Sequence, residues 1–258
     1  AVPPPGATVA PDDHSFSIGQ SVEGRPIWAW RFGQGGQRVV LVGGIHGGFE
    51  GNATLLAEML VDHFHDHPED VLPGLQIVII PSANPDGLAR GPGLEARFNA
   101  NGVDLNRNWS CDWSARAVLQ DMEIDPGPQP FSEPESQALR DYFLAEPPEA
   151  VVFFHSAVGA VFTGACGEEH PPAHWLGRLL AGSTGYPYDE FEYYDVNGDA
   201  SNWLAEQGVP AAIVELYTQT EPEYARNLAG VHALQCHFTS ANTEHPAVRR
   251  LCADAGVH

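Results

Sequence analysis

Four short apolar runs constrain this chain more than any other feature: residues 37–45 (QRVVLVGGI), 75–81 (LQIVIIP), 150–156 (AVVFFHS) and 210–218 (PAAIVELYT). None alternates polar with apolar, so each reads as a strand buried on both faces. Such strands belong to parallel sheets covered by helices. Helical spacing lies between them, as in Leu55, Leu56, Met59, Leu60 and Phe64 after the first run. Ser132 to Glu135 has the form of a capping box with proline in the first turn, which predicts a helix to about residue 144. Further helices are predicted over 171–182, over 199–207 before Gly208, and from about 222 to 238. Residues 14–33 read as an antiparallel hairpin. The expected fold is α/β, a mixed, mostly parallel central β-sheet flanked by helices on both faces. With 258 residues and 43% hydrophobic content, one full core can be buried. A single catalytic domain is expected over 14–241, between a Pro-rich lead-in (1–13) and a C-terminal tail (242–258). The start at Ala1, without a signal-like apolar segment, reads as a mature or trimmed product.

The charge pattern narrows the chemistry. No lysine is present; the 12 basic residues are all arginines, set against 34 acidic ones, for a net charge of −22. Lysine Schiff bases, Walker-type phosphate lysines and Ser-Lys dyads are therefore excluded. A nucleic-acid partner is not expected, because phosphate neutralisation needs a basic face. Anionic lipid is disfavoured on the same ground, and no apolar run approaches the roughly 20 residues of a membrane span. Of the four cysteines none forms C-x-x-C, which argues against a zinc ribbon. They are either buried free thiols or two disulfides of an exported protein. The even count and the trimmed start favour the latter, hence a secreted or periplasmic location. The pairing expected is Cys111 with Cys166 and Cys236 with Cys252.

Chemistry-bearing residues sit where the apolar runs end. His46 and Glu50 follow the first, Asn84-Pro-Asp-Gly87 the second, His155 closes the third and Glu215 the fourth. α/β sheets bind ligands at that edge. Two histidines and a carboxylate meeting there would make a three-ligand zinc site open to water. A separate carboxylate could then act as general base. Singly, each has an ordinary reading: a strand-end histidine is commonly just hydrogen-bonded, and Glu50 suits a helix N-terminus. Residues 97–108 (RFNANGVDLNRN) add two arginines, four asparagines and one aspartate in a single stretch. Asparagine beside arginine makes a fork for a carboxylate.

In this order, GGIHGGFE, NPDG, GVDLNRNW, FFHS and IVEL resemble the zinc carboxypeptidases of the carboxypeptidase A-like family, from about residue 17 to 238. The resemblance implies one Zn2+ per chain on His46, Glu50 and His155. It implies Glu215 as general base and Arg97 on the oxyanion. Asn106 and Arg107 would clamp the substrate carboxylate, and Asp104 would orient the first zinc histidine. Tyr194 would close over the substrate. The implied partner is a peptide with a free C-terminal carboxylate, acted on by a monomer. Two departures stand out. The usual H-x-x-E is here H-x-x-x-E, and the specificity position is Ser201, neither apolar nor acidic. Asp199 lies two residues earlier and could read a positive side chain or simply cap a helix.

Alternatives on the same scaffold are a peptidoglycan stem-peptide peptidase, an N-acyl amino acid deacylase and an inactive binding homologue. His63, His65 and His67 resemble a metal cluster, but histidines also suit the end of a helix. Trp109 and Trp113 are either substrate walls or core.

Overall fold

The computed structural model describes residues 12–167, 170–189, 196–239 and 244–254. Its strands are β1 (Ser15–Gln20), β2 (Pro26–Phe32), β3 (Gln37–Val42), β4 (Leu75–Ile80), β5 (Ala117–Leu119), β6 (Met122–Ile124), β7 (Ala150–Ser156), β8 (Val161–Thr163) and β9 (Ala211–Leu216). Its helices are α1 (Gly51–Asp66), α2 (Pro85–Ala89), α3 (Pro134–Ala145), α4 (Pro171–Thr184), α5 (Ala200–Glu206), α6 (Tyr224–Phe238) and α7 (Pro246–Asp254).

The main sheet runs β1-β2-β4-β3-β7-β9-β8. The four apolar runs supply its parallel centre, β4, β3, β7 and β9, and the antiparallel partners lie outside. Alternate residues of each central strand feed opposite cores. Val39, Leu41, Val152 and Val214 pack with Leu56 and Phe64 of α1, Leu176 of α4 and Leu234 of α6. Val40, Val42, Val151 and Phe153 pack with Leu139 and Phe143 of α3 and Trp203 of α5. Burial on both faces is why these runs lack polar alternation.

Long-range partners override two local expectations. The capping box at Ser132 to Glu135 does not form: the N-cap is Glu133, without a side-chain cap bond. Glu135 instead accepts from Val22 N at 3.0 Å and Asn99 Nδ2 at 3.1 Å, so its carboxylate is spent on the β1–β2 turn and the 97–108 loop. The stretch taken as a tail holds α7, whose Val248 and Leu251 are buried with Leu72, Leu75 and Cys236. Among the described residues, no helix is long and apolar enough to cross a membrane.

Candidate active site

β3 has β4 on one side and β7 on the other, so the chain reverses its winding direction between β3 and β7. Open α/β sheets place their ligand crevice at such a point, beyond the C-terminal strand ends. His46 lies there just past β3, and His155 lies near the end of β7. His155 is in register with Glu215 on β9, which brings the late carboxylate to the same edge.

The extra residue in H-x-x-x-E is absorbed by a 3-10 turn, Gly47–Glu50, ahead of α1. Gly47 takes φ +48°, and a Cβ there would lie 2.5 Å from Ala96 O. A Cβ on Gly48 would come within 2.2 Å of Gly91 O. Only glycines let this turn press so closely on the neighbouring loop. The result brings three ligating groups together, each 3% exposed. His46 Nδ1 lies 2.8 Å from Glu50 Oε1, His155 Nδ1 lies 3.0 Å from Glu50 Oε2, and the two imidazole nitrogens are 3.2 Å apart. Two imidazoles and a carboxylate converging on one point are a donor set that fits a zinc-type cation.

Asp104 and Arg97 support this floor. Asp104 Oδ1 lies 3.4 Å from His46 Nε2, and its other oxygen accepts from Arg97 Nε at 2.7 Å. A carboxylate behind a ligating imidazole fixes the ring's orientation. Burial would raise the Asp104 carboxyl, but Arg97, His46 and Arg107 outweigh it and hold it well below the usual carboxylate range. Glu50 is likewise pulled down, because His46 and His155 outweigh its burial. Glu215 goes the other way. Burial, then repulsion from Glu50, push it up to about 7, which suits a proton carrier near neutrality.

A cavity of 1440 Å³ opens over the floor. Arg97, Asn106, Arg107, Asp199, Ser201 and Glu215 all line it. Arg107 is 2% exposed, and among the described residues its guanidinium forms no direct ion pair; there Nη1 donates to Asn106 O and Nε has no hydrogen-bond partner. Asn106 Oδ1 accepts from Ala200 N, tying the clamp to α5. Asp199 caps α5: its Oδ1 accepts from Ser201 N, Ser201 Oγ and Asn202 N at 2.6–3.1 Å. Tyr194 lies outside the described residues. Trp109 is core, packed on Trp203 and Phe131, and Trp113 donates to Pro126 O; neither lines the cavity.

The wall formed by Phe162, Thr163, His174 and Tyr188 was not foreseen. Its only trace in the sequence is a three-residue edge strand and a histidine early in a helix. Both expected disulfides are present. Cys111–Cys166 joins the loop after Arg107 to the segment after β8, and Cys236–Cys252 joins α6 to α7.

The sequence pattern of the zinc carboxypeptidases matches residues 10–226, and the chain belongs to that family. Murein peptide amidase A of Escherichia coli (strain K12) is 32% identical over 138 residues, 50% of this chain and 52% of that protein. Carboxypeptidase B of Astacus astacus is 31% identical over 160 residues, 54% of this chain and 52% of that protein. The chain thus spans about half the length of the curated relatives it matches. Among solved structures, murein-tripeptide amidase from Escherichia coli O157 superposes with a TM-score of 0.65 at 23% identity, covering 88% of this chain and 93% of that one. Bovine thrombin-activatable fibrinolysis inhibitor, bound to tick carboxypeptidase inhibitor, gives 0.72 at 18% identity, covering 88% and 90%. At these identities the superpositions establish the fold.

Proposed function

We propose that this chain is a zinc-dependent exopeptidase that releases a terminal amino acid by hydrolysing the amide bond next to a free carboxylate. The observation that carries this reading is Arg107, a buried guanidinium with no direct ion pair among the described residues, lining the cavity that also holds Glu215. A buried unpaired cation is costly and is relieved by an incoming anion. Asn106 and Arg107 hold the substrate carboxylate and so fix the scissile bond over the floor. Arg97 presents its guanidinium to the carbonyl oxygen as negative charge develops. Glu215 takes a proton from the attacking water and passes it to the leaving amine. A zinc ion on His46, Glu50 and His155 would supply Lewis acidity and lower the pKa of a water. The two disulfides support an oxidising compartment, secreted or periplasmic.

A narrower substrate is suggested by the 32% identity over 138 residues to murein peptide amidase A. Cleavage of a γ-glutamyl–diamino acid bond in a peptidoglycan stem peptide uses the same clamp, because its leaving amine also carries a carboxylate. A panel of peptides ending in L-Lys, L-Arg, L-Phe or diaminopimelate separates the two. Release of the terminal residue, abolished by chelation and restored by zinc, is the expected result. Activity that survives exhaustive chelation, or equal turnover of C-terminally amidated peptides, would overturn the proposal.

A further inference from the structure

Half a molecule away from the cavity, the far end of α1 gathers a second set of ligating side chains. His63 lies 13 residues after Glu50 along α1, which at 1.5 Å per residue puts the two about 20 Å apart. His63 Nε2 is 3.2 Å from Asp70 Oδ2, and its ring centroid is 5.8 Å from that of His232 on α6. One ligand atom each from His63, Asp70 and His232 fall within 4.8 Å of one another. The ring of His67 is a further 5.1 Å from His63.

Two features make this more than a chance meeting of polar groups. The other nitrogen of His63, Nδ1, lies 2.9 Å from the Tyr224 hydroxyl. The other oxygen of Asp70, Oδ1, accepts from Arg250 Nη2 at 2.7 Å. His63 and Asp70 therefore each have one atom held from behind and one atom facing the shared space, as ligands oriented by outer partners do. At −22, the chain's field draws divalent cations toward such a site.

We propose that His63, Asp70 and His232 form a second, zinc-type metal site that fastens α6 to the end of α1. Two imidazoles and one carboxylate suit zinc or cobalt(II) better than calcium or magnesium, which prefer all-oxygen sites. The sequence reading of one zinc per chain counted only the cavity.

The test is a metal count on the full chain, stripped with chelator and titrated with zinc or cobalt(II). The wild type is expected to take up two equivalents. His232→Ala should take up one and keep full activity. Asp70→Asn, nearly isosteric and still able to accept from Arg250, should weaken the second equivalent by about tenfold or more. His155→Ala, which breaks the cavity site, should still bind one equivalent, and zinc should still raise its Tm. Uptake of a single equivalent by the wild type would overturn the proposal. So would undiminished uptake by His232→Ala and Asp70→Asn together, or the absence of any zinc-dependent Tm rise in His155→Ala.

Discussion

The floor and the clamp of the cavity are built from one stretch of chain, yet they handle charge in opposite ways. Arg97 donates to Asp104 and stands 3.6 Å from Glu50, so the floor's cation is matched by carboxylates. Arg107, ten residues on, is just as buried and, among the described residues, in direct ion pair with none. The first arrangement fixes geometry, because every charge there has a partner whether or not substrate is present. Under the proposed function, the second keeps a charge in reserve for an incoming anion. On that reading, one loop divides into a half that supports the protein and a half that receives the ligand.

The largest test concerns the proton carrier between them. Glu215→Gln should retain metal while kcat falls by roughly 10²–10⁴-fold, the usual range for losing a general acid–base group. Steady-state kinetics and metal analysis together check this. Next come the two arginines as a pair. Arg97→Ala removes the cation that donates to Asp104 at 2.7 Å, and should cost about 3–5 kcal/mol of stability along with activity. Arg107→Ala should leave Tm undiminished and raise KM for substrates with a free carboxylate. Equal losses of Tm in the two variants would erase the contrast.

Asp104→Asn should weaken zinc binding by about 10–100-fold, read by competition with a chelator. The smallest effect is a pH profile of the metal-free protein. Asp104 and Glu50 are held low, so their stabilisation is complete above the ordinary carboxylate range and is lost as pH falls below it. Glu215 is raised to about 7, so its contribution is present below pH 4.5 and is lost as pH climbs through 7. Denaturant unfolding should thus show a maximum between these limits. Zinc should flatten the upper limb, because a cation restores the ionised Glu215. A metal-free protein most stable above pH 8 would contradict this balance.

Much of this was legible in the chain itself. Strands buried on both faces announce themselves as unbroken apolar runs, and so β3, β4, β7 and β9 could be read directly. His46, His155 and Glu215 were legible because each sits at a fixed step from such a run. What escaped depends on partners distant in sequence. Nothing near Glu135 says that Val22 and Asn99 claim its carboxylate instead of the helix end. The three histidines at 63, 65 and 67 suggested a cluster of neighbours, but His63 groups with Asp70 and His232, and His65, two residues on, points to another side of the helix. His65 instead turns to Asp12. Whether Asp199 reads a substrate or caps α5 could not be told from its neighbours either. The structure gives it the capping bonds and a place in the cavity wall.

The 3-10 turn at Gly47–Glu50 has a consequence for how relatives of this chain are found. It places Glu50 beside His46 and His155 although one more residue intervenes than the family spacing allows. Two glycines seated against Ala96 and Gly91 make the lengthened link possible. A pattern that insists on a fixed count between histidine and carboxylate would pass over such a chain. A pattern that asks for the glycine pair, and lets the count vary by one, would find it. Spacing between these groups is thus set by the backbone path as well as by the written motif.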